Sequence, residues 1–157
     1  MIAIRPARRE DLPAIERLTE RLADFDQPKR LAKRDIARAD DHLLLPQLES
    51  PRDDVLFLIA EDAAGTPLGT VFAGTHSDYF TKVPIAYVEV IAVAREAEGT
   101  GLARRLLTEV EQWAEARGLH RVDLSVFAVN QRARGFYEHL GYTGEFVRYA
   151  KELGKGR

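Results

Sequence analysis

Cysteine is absent from all 157 residues. Disulfide bridges, thiolate nucleophiles and cysteine-ligated metals are excluded with it. Long apolar runs are lacking too, and no stretch approaches the roughly 20 residues that span a bilayer. The opening "MIAIRPARRED" has an apolar stretch too short, and charge too soon after it, for a secretory signal. A cytoplasmic location is therefore expected. There is no excess of positive charge: 23 Lys and Arg face 25 Asp and Glu, a formal net charge of −2 with both signs spread along the chain. General nucleic-acid binding, which needs a net basic face, is disfavoured. The four histidines, His42, His76, His120 and His139, show no metal-ligand spacing, so no metal site is expected. Repeats, low-complexity tracts and linkers are missing as well.

What is present is an ordinary globular share of hydrophobic residues, 45%, in a length that suits one domain over residues 1–157. "IAIR" (2–5) alternates as a first strand. Leu12, Ile15, Leu18 and Leu22 recur at helical spacing, with Asp11 as N-cap and Pro13 in the first turn. The charged, proline-bearing stretch 26–54 predicts short helices near 31–39 and 43–48. "VLFLIAED" (55–62) and "PLGTVFAGTH" (67–76) read as strands joined by a turn at Gly65, hence a hairpin. "SDYFTKVP" reads as a loop, and "IAYVEVIAV" (85–93) as a long strand. Residues 100–117 form an amphipathic helix with Leu102, Leu106, Val110 and Trp113 in one stripe, stopped by Gly118. A strand over "RVDLSVFAV" (121–129), a helix capped by Asn130 and ended by Gly141, and a last strand over "EFVRYAKEL" (145–153) complete an α/β order around one sheet.

Two glycines, Gly99 and Gly101, bracket Thr100 where the long strand passes into the helix. Glycine permits a tight turn and close approach of a ligand. The first N–H groups of the helix lack internal partners and sit at the positive end of its dipole. Either the turn is a plain connection, or it holds a phosphate. Two nucleotide motifs are absent: Arg104 stands where G-x-G-x-x-G needs its third glycine, and no Gly-Lys-Ser/Thr occurs.

The pairing of "EGTGLARRLL" with "VNQRARGFYEHLGY" (129–142), one strand apart, resembles the GNAT superfamily of N-acetyltransferases. The order of elements agrees over nearly the whole chain. The resemblance implies a mixed, mainly antiparallel sheet with helices on both faces and a splayed strand pair that admits acetyl-CoA. In the family the turn reads R/Q-x-x-G-x-G/A. Its counterpart is Glu98, Gly99, Thr100, Gly101, Leu102, Ala103 and Arg104, whose backbone would hold the pyrophosphate of coenzyme A. Glu98 departs from the family's Arg or Gln, and Arg95, Arg104 or Arg105 would supply the compensating charge. Ile91, Ala92 and Val93 would pair with the pantetheine arm, and Asn130 would cap its helix or also bond the arm.

The chemistry implied is acetylation of an amine by direct attack in a ternary complex. Glu89 is the candidate base, or else a cross-strand salt-bridge partner. Tyr137 is the candidate acid toward the leaving thiolate, and a cofactor contact, or else a core tyrosine. His76, read as part of the loop at the acceptor mouth, is a candidate base or substrate contact, and Asp78 and Tyr79 in that loop are candidate substrate contacts, or else all three are structural or solvated surface. The acceptor is expected to be a small-molecule amine. A protein amine, or a non-catalytic acyl-CoA-binding module, stands as the alternative. Dimerisation is common in such folds, and the exposed last strand offers one contact for a homodimer.

Overall fold

The computed structural model describes residues 1–23, 31 and 41–154. The helix expected at 31–39 lies outside the described residues. The strands are β1 (Ala3–Pro6), β2 (Val55–Glu61), β3 (Pro67–Ser77), β4 (Pro84–Val93) and β5 (Val122–Leu124). The helices are α1 (Leu12–Glu20), α2 (Asp41–Glu49), α3 (Leu102–Ala116) and α4 (Gln131–His139). The strands form one sheet in sequence order, antiparallel from β1 to β4, with β5 parallel to β4. This is the mixed sheet with helices on both faces that the sequence predicts.

Each face of the sheet has its own core. Ala14 and Ile15 of α1 and Leu44 and Leu48 of α2 close on Ile59, Phe72 and Val90. On the opposite face, Leu102, Leu106, Leu107 and Val110 of α3 close on Leu58, Ala60, Val71, Ala73 and Val88. The α3 stripe is therefore the predicted one, with Trp113 only partly buried at its edge. Gly69 sets how closely α3 can lie. A Cβ there would come within 3.1 Å of Leu102 Cδ2 and 3.2 Å of both Leu106 Cδ1 and the Ala92 carbonyl oxygen.

Several expectations are corrected. Asp11 sits in a short 3-10 turn (Arg9–Asp11) and does not cap α1 with its side chain. Its carboxylate is taken by the Arg5 guanidinium in a two-pronged contact, at 2.8 and 2.9 Å, and by the Arg8 N–H at 2.7 Å. The fifth strand ends at Leu124, not Val129. The last strand does not form: residues 143–153 carry no strand, and Phe146, Val147, Tyr149 and Leu153 are exposed. Phe146, Val147 and Tyr149 favour a strand by residue type, but propensity does not by itself make a segment pair. Here the stretch is tied near its start by Glu145, 2.8 Å from the Arg121 guanidinium. The homodimer contact expected on that strand loses its basis. His76 lies within β3 rather than in the loop that follows.

Arg5 joins three parts of the fold. From β1 it holds Asp11 at the entry to α1 and Glu61 at the end of β2, the latter at 3.0 Å. The Arg5 hydrogen bonds hold the Asp11 carboxyl below its ordinary value, against the opposing effect of burial. A carboxyl depressed on folding stabilises the native state above its unfolded value, and that stability is lost as pH falls through the folded value. Asp11→Asn should therefore cost about 1–3 kcal/mol at neutral pH. It should also flatten the acid limb of the stability curve below about pH 4, measured by urea denaturation across pH.

Candidate active site

The site begins with an irregularity in β4. Phe72 pairs with Val90 and Ala73 with Val88, which leaves Glu89 as an extra residue without a partner on β3. Such a bulge turns the strand about its axis. Before it, Ala86 and Val88 join the cores under α3. After it, Val90 and Ala92 join those under α1, and Ile91 and Val93 pack on the α3 side instead. One residue exchanges the two faces of the strand.

The same point marks the parting of β4 from β5. Their parallel pairing runs Ala86↔Val122, Tyr87↔Asp123 and Val88↔Leu124 and then stops. β4 continues to Val93, paired with β3 as far as Gly69↔Val93. From Glu89 onward its other edge faces the split, so the backbone of Ile91, Ala92 and Val93 borders an opening.

Beyond β4 the chain makes a short 3-10 turn (Arg95–Ala97) and then the glycine turn. Gly99 and Gly101 have φ of 73° and 83°, values that side chains rarely tolerate. A Cβ at either would meet no atom within 4 Å, so the glycines answer to backbone conformation and leave open space above the turn. Thr100 is turned inward, its hydroxyl donating to the Ala97 carbonyl at 2.5 Å. Arg105 N–H bonds the Gly101 carbonyl at 3.0 Å as the first bond of the helix. The N–H groups of Gly101, Leu102, Ala103 and Arg104 precede it and are left without partners inside the helix. Leu102 is buried beneath, Ala103 half-buried, and the Arg104 side chain exposed. This is a cradle for an anion, and it fits the pyrophosphate that the turn motif implies.

Glu98 does not stand unopposed. One of its carboxylate oxygens contacts Arg21, just after α1, and the other lies 3.2 Å from Arg132 in the first turn of α4. Arg21 also donates to the Val93 carbonyl. The hydrogen bond from Arg21, then that from Arg132, holds the Glu98 carboxyl below its ordinary value. Arg21 and Arg132 place positive charge beside the Glu98 carboxylate. Arg105 is among the expected sources of that charge. Arg105 reaches instead to the Ile2 carbonyl at 3.1 Å. No sequence spacing links Arg21 to Glu98, 77 residues on. Arg132 was more accessible to inference, as a cation two residues after the Asn130 cap.

α4 brings the remaining candidates. Asn130 caps it by accepting the Ala133 N–H at 3.2 Å. Tyr137 packs with Phe136 and Tyr142 onto the cluster that holds Val88, Ile91 and Val93. Burial pushes its phenol up to about 12. Across the sheet, Glu89 lies 2.5 Å from His76 Nε2. The His76 ring packs 5.0 Å from Tyr87, whose hydroxyl contacts Ser125 just past β5. The loop candidates are occupied within their own loop. Asp78 accepts the N–H groups of Phe80 and Thr81, both at 2.8 Å. Tyr79 is exposed beneath the Lys82 ammonium, 4.7 Å from its ring. Among the described residues, no three His, Asp or Glu side chains gather as a metal site would require, and no helix is long and apolar enough to cross a membrane.

The left-handed backbone at the turn yields one stability expectation. Gly101→Ala should cost about 1–2 kcal/mol from its positive φ alone, read as a lower urea midpoint with an unchanged slope.

The family model described as the acetyltransferase (GNAT) family matches residues 15–142. A mycothiol acetyltransferase of Pseudarthrobacter chlorophenolicus is 36% identical over 91 residues, 58% of this chain and 28% of that protein. The match thus spans less than a third of that relative's length. Among solved structures, a putative acetyl transferase from Pyrococcus furiosus superposes with a TM-score of 0.78 at 24% identity, covering 98% of this chain and 100% of that one. AAC(6')-Iy, in complex with the bisubstrate analog CoA-S-monomethyl-acetylneamine, superposes with a TM-score of 0.69 at 21% identity, covering 98% and 99%. These two likenesses show a shared fold.

Proposed function

The chain belongs to the acetyltransferase (GNAT) family, and on that premise we propose that it transfers an acetyl group from acetyl-CoA to a primary amine of a small molecule, by direct attack with both substrates bound. The observation that carries this reading is the split between β4 and β5. It is bordered at one end by the N–H cradle of the glycine turn and at the other by Glu89. Acetyl-CoA supplies an acetyl group activated as a thioester. The N–H groups from Gly101 to Arg104 would hold its pyrophosphate, with Arg21 and Arg132 beside the turn. The backbone edge of Ile91, Ala92 and Val93 would receive its amide-bearing arm as an added strand, with the Val93 carbonyl already taken by Arg21. A small-molecule acceptor is supported by the relative named for mycothiol and by the bisubstrate analog in AAC(6')-Iy.

Alkyl amines are mostly protonated at pH 7, so the acceptor must lose a proton before it attacks. Glu89 drives that loss, its carboxylate presented by the bulge where the split opens. Tyr137 serves the leaving sulfur. A phenol held near 12 keeps its proton throughout the physiological range. A thiol ionises near 8.5, so outright transfer from the phenol is uphill by several kcal/mol. Tyr137 therefore acts as a hydrogen-bond donor to the sulfur, an interaction of about 1.5–3 kcal/mol to a charged acceptor.

The direct test is calorimetric titration with acetyl-CoA, followed by an amine panel scored by thiol release. Saturable one-to-one binding with turnover on a small amine is expected, and no binding at millimolar cofactor would end this reading. Tyr137→Phe should lower turnover about 10- to 100-fold with acetyl-CoA affinity nearly unchanged. Glu98→Gln should tighten acetyl-CoA about fivefold, since a carboxylate about 4 Å from a phosphate opposes it by about 1 kcal/mol in water. The tightening should shrink as salt is raised in the same titration.

A further inference from the structure

We propose that His76 and Glu89 act as one proton-accepting pair, in which Glu89 positions the imidazole and His76 Nδ1 takes the proton from the acceptor ammonium. The inference rests on the acetyltransfer reading and deepens its account of the base.

The geometry favours a pair over a lone carboxylate. His76 comes from the end of β3 and Glu89 from the bulge of β4, and the two meet at 2.5 Å through Nε2 and Oε1. Phe72 faces α1 and α2, so Gly74 and His76, two and four residues on, share that face. Gly74 lies between them, and a Cβ there would meet His76 Nε2 at 3.5 Å. Tyr87 packs against the ring from the neighbouring strand, and its contact with Ser125 anchors it beside the parting of β4 and β5. Among the described residues, Glu89 and Tyr87 are the ionisable side chains recorded against His76.

Exposure sets the division of labour. The His76 side chain is 47% exposed and that of Glu89 21%. A carboxylate held against Nε2 stabilises the tautomer with its proton on Nε2, which leaves Nδ1 as the free lone pair. The ammonium N–H bond breaks and leaves its electron pair on the amine nitrogen. The proton joins Nδ1, and the pair becomes an imidazolium beside a carboxylate. Water then carries the proton away from the exposed ring.

Three measurements on the full chain test this. Proton and nitrogen NMR of the free protein should show a downfield ring N–H resonance assigned to His76 Nε2, and Glu89→Ala should abolish it. His76→Ala should lower turnover about 100-fold or more, leave acetyl-CoA binding by calorimetry unchanged, and regain part of its rate with imidazole added to the solution. Rescue by imidazole marks a proton acceptor, because a structural role would not respond to it. Absence of the resonance, or His76→Ala turnover within threefold of wild type, would overturn the pair. A wild type that keeps the resonance but acetylates no amine would overturn the acetyltransfer reading and the base role with it. The pair would then be a structural ion pair.

Discussion

The extra residue in β4 is the constraint on which the site depends. A regular strand would carry Ala86, Val88, Val90 and Ala92 on one face of the sheet. With Glu89 inserted, the first two serve the core under α3 and the last two the cores under α1. The two helical layers are thus packed from a single strand, whose small and β-branched residues suit either side. Undoing the bulge would send one half of β4 to the wrong layer, a register error that no local adjustment repairs. It would also return Glu89 to the regular alternation and remove the point at which pairing with β5 ends.

A second consequence is that the proposed base pair and the proposed hydrogen-bond donor to sulfur belong to opposite faces. His76 and Glu89 meet on the side of α1 and α2, whereas Tyr137 packs from α4 into the cluster under α3. Side chains on opposite faces of a closed sheet are separated by its backbone. Here the pairing of β4 with β5 ends at Val88↔Leu124, and the proposed reaction would draw on both faces at that point.

Much of this was legible in the sequence, and the rest was hidden for identifiable reasons. The α3 stripe, the β2–β3 hairpin, the cap at Asn130 and the two glycines of the turn are local patterns, and each formed nearly where expected. The bulge could not be read, because a strand covered on both faces is apolar at every position except Glu89, whatever its register. The partners of Glu98 could not be read either, since Arg21 reaches it through tertiary structure alone. Residues 145–153 mislead in the opposite sense. Phe146, Val147 and Tyr149 have strand-favouring side chains, yet such a preference is decided by tertiary pairing that the local residues do not specify.

The route of transfer can be argued from what the chain offers as a nucleophile. A covalent acyl-enzyme needs a hydroxyl, thiol or amine activated by an adjacent base. The chain has no cysteine. Two hydroxyls near the split are committed elsewhere: Thr100 donates to the Ala97 carbonyl and Ser125 meets the Tyr87 phenol. The contact of Glu89 with His76 beside the split includes no hydroxyl. A base without a protein nucleophile suits an incoming amine that is itself the nucleophile. That is the arrangement direct transfer requires, and it explains why the basic groups lie on the face opposite Tyr137.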